Sequence, residues 1–145
     1  HFAHFNGSVA EARAEANYFL RNSASLPKGS IMVLDDESYF SGSQSANTQA
    51  AIAFMQVVKN AGYVPYFYTS SSMGRNQVNI YTIENAFPNS YWVAAYPNGN
   101  GASWSADFDY FPSNPGVAMW QFTDNWKGMG VDASILTLPI DLTLA

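Results

Sequence analysis

Asp35 and Glu37 stand two residues apart at the end of a short apolar run, Ile31-Met32-Val33-Leu34, with Asp36 between them. A buried strand sends successive side chains to opposite faces, so Asp35 and Glu37 share one face and Asp36 takes the other. Carboxylates so placed have Cβ atoms about 6.5–7 Å apart. In such a pair, one carboxyl with a raised pKa can protonate the leaving oxygen of a glycosidic bond, while the other stabilises or attacks the oxocarbenium-like centre. Two plainer readings stand beside this one: a solvated strand end that opens a polar loop, and a divalent-cation site made of hard oxygen ligands. Asp107 and Asp109 repeat the spacing, but no buried strand precedes them and they read as loop surface.

Rings form the second group. Aromatic residues make up 16% of the chain, more than a core of this size requires, and charged residues only 12%, about half the usual share. Some rings are therefore expected at the surface, where aromatic faces stack on the flat faces of sugars or bases. Trp92, Tyr96 and Trp120 fall near strand ends, where core packing and sugar stacking compete. Tyr66 and Tyr68 flank Phe67, so the tyrosines share one strand face and the phenylalanine takes the other. His1 and His4 read as structural.

Composition excludes several classes. The formal charge is −5 with six Lys and Arg in total, too few and too scattered for phosphate-backbone binding, so nucleic acid is not expected. There is no Cys, and the two His lie close together at the amino end, which argues against a thiolate or His-based zinc centre. No apolar run approaches the roughly 20 residues of a membrane-spanning helix. A chain of 145 residues is expected to form one domain.

The elements that must position these groups follow from local signals. Ser8 followed by Glu11 is a capping box before an Ala-rich segment with helical spacing at Ala12, Ala16, Phe19 and Leu20, which predicts a helix from Val9 to about Asn22. Pro27-Lys28-Gly29 predicts a turn into the acidic strand, and Ser41–Asn47 predicts a polar loop able to line a cleft. A second helix is predicted from Thr48, with Gly62 as its left-handed cap. Strands follow at Val64–Tyr68, Tyr91–Tyr96 and Val117–Phe122, with a weak helical stretch at Asn76–Phe87. The long loop Pro97–Pro115 carries Gly99, Gly101, Trp104, Phe108, Tyr110 and Phe111, and its ring content favours a functional role. Strands alternating with helices predict the α/β class with a mainly parallel sheet, whose strand carboxyl ends are where sites collect.

In order along the chain, His1-Phe2-Ala3, Leu34-Asp35-Asp36-Glu37, Gly62-Tyr63-Val64-Pro65 with Tyr68-Thr69-Ser70, Trp92-Val93-Ala94-Ala95-Tyr96, Trp120-Gln121-Phe122 and Val131-Asp132 resemble the glycoside hydrolase family 25 lysozymes, the muramidases of bacteria and their phages. The resemblance implies an irregular (β/α) barrel of the TIM-barrel-like type that hydrolyses the β-1,4 bond between N-acetylmuramic acid and N-acetylglucosamine in peptidoglycan, without a cofactor. It makes Glu37 the general acid and Asp35 either a nucleophile or the carboxylate that orients the substrate's N-acetyl group. Tyr68 and Asp132 match cleft positions of the family, and Trp92, Tyr96 and Trp120 become sugar-contacting rings. Ser134 departs from the pattern, standing where the family commonly has an asparagine.

The family opens with a strand bearing a further active-site aspartate, which this sequence does not show. Residues 1–145 are therefore expected to be a single but partial catalytic domain, an N-terminally incomplete barrel finished by a longer polypeptide or by a partner. Peptidoglycan glycan strands are the expected partner, with no nucleic acid and no membrane insertion. The resemblance places the action at the cell wall, by secretion or by release from the host cytoplasm during phage lysis. A rival from another class is a glycan-binding module that keeps the aromatic cleft without turnover. A second is an unrelated hydrolase using a metal at Asp35 and Glu37.

Overall fold

A computed structural model describes residues 1–97, 101–114 and 116–139. The fold is mixed α/β, built on a five-stranded sheet in the order β1-β2-β3-β4-β5. Strands β1 (Ile31–Asp35), β2 (Val64–Ser70), β3 (Tyr91–Ala94) and β4 (Val117–Thr123) run parallel, and β5 (Ala133–Leu136) returns antiparallel to β4. Beyond β1, the segment at His1–Ala3 adds a short parallel bridge: Asp35 N–H donates to His1 O and Ala3 N–H to Asp35 O, both at 2.8 Å.

Among the described residues, four α-helices accompany the sheet: α1 (Val9–Asn22), α2 (Gln44–Asn60), α3 (Ser71–Asn76) and α4 (Ile80–Ala86). Ser8 caps α1 by accepting the Glu11 N–H at 3.2 Å, as the capping box predicts. Ala12 and Ala16, four residues apart and fully buried, give α1 a small-residue face, and α1 packs against α2. The core then forms between α2, through Phe54, Met55 and Val58, and the sheet face that carries Met32, Leu34, Phe67 and Val93. Truncating a ring as buried as Phe54 to alanine costs about 3–5 kcal/mol.

Two local expectations, for Ser41–Asn47 and for the long loop, need correction. Ser41–Asn47 is not a cleft-lining loop: Ser43 accepts the Ala46 N–H and starts α2 at Gln44, and the buried Asn47 donates to the carbonyls of Ser41 and Gln77 at 3.1 and 2.9 Å. The Ser70-Ser71-Ser72 exit from β2 is the start of α3, capped by Ser70 accepting the Met73 N–H. Part of the long loop is structural: it holds a 3₁₀ turn at Phe108–Tyr110, and Phe108 and Phe111 pack edge-on to Trp120 with ring centroids 5.4 and 5.3 Å away. Gly99 lies outside the described residues. Asp107 is exposed and accepts the Asp109 N–H, a turn-capping role consistent with loop surface.

Opposite the packed face, two side-chain bonds each reach across an intervening strand. Tyr68 of β2 donates to Gln121 Oε1 of β4 at 2.7 Å, and Trp92 Nε1 of β3 donates to Ser134 Oγ of β5 at 3.1 Å. Neighbouring strands lie about 4.8 Å apart, so the side chains of this face lean together over the strands between them.

Candidate active site

Strand parity builds the site. Asp36 is 1% exposed while Asp35 and Glu37 open onto a cavity of about 450 Å³, so the alternation around Leu34 falls as the sequence predicts. The same cavity is lined by Val33 of β1, Tyr68 of β2, Trp92 of β3, Gln121 of β4, and Asp132 and Ser134 at the start of β5. Asp35, Glu37, Tyr68 and Gln121 sit in or just past the carboxyl halves of their parallel strands, Val33 and Trp92 lie further back on theirs, and Asp132 and Ser134 stand at the amino end of the antiparallel strand that meets them. A second cavity of about 460 Å³ shares Glu37 and Tyr68 with the first and continues over Ser70, Ser71, Ser72, Arg75, Tyr96 and Tyr110. Glu37 and Tyr68 therefore stand at the junction of one continuous cleft.

Burial and mutual proximity shift both carboxyls of the pair. Glu37 is raised above the ordinary glutamate range, first by burial, then by the charge of Asp35, by a hydrogen bond to Asp35 and by the charge of Asp132. Asp35 is also raised by burial, but the hydrogen bond from Glu37 favours its ionised form. Tyr68 is kept neutral well above the usual tyrosine range, by burial first and then by Glu37 and Asp35. Its ring meets Trp92 edge-on with centroids 5.0 Å apart. Tyr96 is raised in the same sense, by burial and then by Asp124, Asp132 and Glu37.

Of the residues expected from sequence, Asp35, Glu37, Tyr68, Trp92 and Asp132 are brought together in one cavity, and Tyr96 lines the adjoining one. Trp120 is not brought to these carboxylates, and its assignment as a sugar-contacting ring is corrected. It is 1% exposed, enclosed by Phe108, Phe111 and Phe122, and its Nε1 is committed to Ala95 O at 2.7 Å. The physical reason is register: Trp120 pairs with Val93 on the packed face, which turns its neighbour Gln121 to the cleft beside Ala94. Strand parity within Trp120-Gln121-Phe122 carried that signal, since a polar residue between two large rings on a strand takes the opposite face. His1, read as structural, borders the cleft, and its ring Nε2 lies 2.9 Å from Glu15 Oε2. Ser134, the departure from the family pattern, fixes the Trp92 indole by accepting its N–H. Among the described residues, no three His, Cys, Asp or Glu side chains are grouped to hold a metal ion, and no helix is long and apolar enough to cross a membrane.

Two carboxyls raised by burial, side by side in a ring-lined cleft at the end of a strand, are an arrangement suited to glycosidase chemistry. The chain belongs to the glycosyl hydrolases family 25, whose model matches residues 1–131. A lysozyme of Streptococcus phage Cp-9 is 43% identical over 125 residues, covering 86% of this chain and 35% of the relative. A D-alanyl-L-alanine endopeptidase of Streptococcus phage B30 is 38% identical over 141 residues, covering 97% of this chain and 31% of the relative. The crystal structure of the modular Cpl-1 endolysin complexed with a peptidoglycan analogue superposes with a TM-score of 0.86 at 40% identity, over 97% of this chain and 39% of that one. A glutamate-to-glutamine variant of that endolysin has been solved with a tetrasaccharide-pentapeptide. The chain spans about a third of the length of the curated relatives it matches.

Proposed function

We propose that this chain is the catalytic portion of a peptidoglycan muramidase, cleaving the β-1,4 bond between N-acetylmuramic acid and N-acetylglucosamine. The observation that carries this is the Asp35–Glu37 pair, two carboxyls on one strand face, both raised by burial, with an open cleft before them. Glu37, raised by burial and by the charge of Asp35, acts as the general acid: it donates its proton to the glycosidic oxygen as the bond to the anomeric carbon breaks, and the bonding electron pair leaves on that oxygen. Asp35 either attacks the anomeric carbon itself or, in the orienting role, holds the substrate's N-acetyl N–H so that the acetyl oxygen attacks that carbon and closes a ring. Water, giving its proton to the Glu37 carboxylate, then opens the resulting intermediate. Trp92 and Tyr96 supply flat apolar faces for sugar rings, and Tyr68 and Asp132 flank the reacting bond.

The convergence of side chains across β3 and β4 supports an irregular barrel. Peptidoglycan strands are the proposed substrate and the cell wall the site of action, reached by secretion or on release from a lysing host. Digestion of purified Gram-positive cell walls tests the activity. Turbidity should fall, with new reducing ends on N-acetylmuramic acid, and clearing should survive a chelator. New reducing ends on N-acetylglucosamine, or new amino termini in their place, would overturn this assignment. Binding without any cleavage would support the glycan-binding module instead.

A further inference from the structure

We propose that Arg75 is a specificity residue that binds a carboxylate of the muramyl peptide stem in the cavity beside Glu37. This rests on the muramidase reading above and names which part of the substrate fills the second half of the cleft. Among the residues lining the two joined cavities, Arg75 is the one lysine or arginine, set across the Glu37–Tyr68 junction from Asp35 and Asp132. Its guanidinium makes no ion pair with a carboxylate among the described residues. It is steadied from within its own helix, where Nη1 donates to Ser71 Oγ at 2.5 Å, and the backbone beneath it is tied down by Gln44 Nε2 donating to Arg75 O at 3.1 Å. An exposed arginine so held, with donors left over, matches the planar acceptor of a carboxylate.

Charge decides which substrate group belongs there. The amino sugars are neutral around the scissile bond, while the peptide carried on the lactyl arm of the muramyl unit brings carboxylates. The half of the cleft with Asp35, Glu37 and Asp132 repels such groups, and the protein as a whole carries a formal charge of −5. The second cavity offers the opposite sign at Arg75, with the hydroxyls of Ser70, Ser72 and Tyr110 around it for peptide amides. A stem docked there puts the lactyl arm at the Glu37–Tyr68 junction, and so places the muramyl unit, rather than N-acetylglucosamine, where Glu37 acts.

The test uses tetrasaccharides bearing pentapeptide stems whose carboxylates are either free or converted to primary amides, bound to the Glu37→Gln variant of the full chain by calorimetry. Stem amidation should weaken binding about three- to tenfold, and Arg75→Gln should weaken binding of the free-acid ligand by a similar factor. Against the amidated ligand the Arg75→Gln loss should vanish, and Arg75→Lys should recover part of the free-acid affinity. An equal loss with both ligands, no loss with either, or no binding of either overturns the assignment. Coupled binding losses with no hydrolysis of either ligand by the unsubstituted protein would support the Arg75 site while overturning the muramidase reading, so the two fail separately.

Discussion

The Tyr68 hydroxyl donates to Gln121 Oε1 at 2.7 Å, reaching from β2 to β4 past the Trp92 ring of β3. This bond fixes the one tyrosine that lines both halves of the cleft, beside Glu37. Gln121→Leu keeps the side chain's bulk and removes the acceptor, leaving Tyr68 free to rotate. The expected outcome is a roughly tenfold lower kcat/KM on cell-wall glycan, about 1.4 kcal/mol of transition-state stabilisation, with the thermal midpoint little changed. An unchanged kcat/KM would show that the bond does not position the site.

The pH profile follows from which carboxyl holds the proton. The proposed mechanism needs Asp35 ionised and Glu37 protonated, so it predicts activity that rises as Asp35 loses its proton and falls as Glu37 does. Because burial and the charge of Asp35 raise Glu37, the alkaline limb lies above the ordinary glutamate range. Asp132 contributes to that rise, so Asp132→Asn should move the alkaline limb of kcat/KM to lower pH. A limb that stays in place would remove Asp132 from the electrostatics of the pair.

Asp36, between the two catalytic candidates, is 1% exposed, and neither carboxylate oxygen has a hydrogen-bond partner. Burial first, then Asp35 and Glu15, raise its pKa to about 7. The folded state thus keeps a proton that the unfolded chain releases near pH 4, and stability is lost as pH rises from about 4 to about 7. Asp36→Asn removes that loss. Thermal unfolding at pH 8 should show a gain of about 1–2 kcal/mol after the cost of an unpaired buried amide, with no gain at pH 4. An equal effect at both pH values would contradict the titration account.

Gly116 has φ +72°, and a Cβ there would collide with the Glu84 carboxylate, whose Oε2 accepts the Asn89 N–H at 3.0 Å. Gly116→Ala therefore combines backbone strain with displacement of a buried carboxyl. A destabilisation of about 2–4 kcal/mol is expected by chemical denaturation, and a change under 0.5 kcal/mol would show that the turn adapts freely.

Much of this site was legible because strand alternation is a strong local rule. Met32, Leu34 and Asp36 against Asp35 and Glu37 could be sorted by parity alone, and the cap at Ser8 marked α1 to the residue. Trp120 was misplaced because its side depends on pairing with Val93, a contact between residues far apart in sequence, across a pair with a shifted register at Tyr91/Trp92. Strand β5 left no local signal, since its partly exposed alternation gains order only from antiparallel pairing with β4. Arg75 was invisible for a related reason: nothing in Ser71-Ser72-Met73-Gly74-Arg75 announces a cleft until β2 and α3 turn it toward Tyr96.

The rate of reducing-end release by the Glu37→Gln variant, measured beside its affinity for the same glycan, tests the account most directly. The amide keeps the shape of the side chain and loses the proton to be donated. Turnover should fall by about 10²–10⁴-fold with the dissociation constant changed less than about threefold. Turnover within a factor of about three of the unsubstituted protein would contradict Glu37 as the acid and, with it, the assignment of the Asp35–Glu37 pair as the catalytic centre.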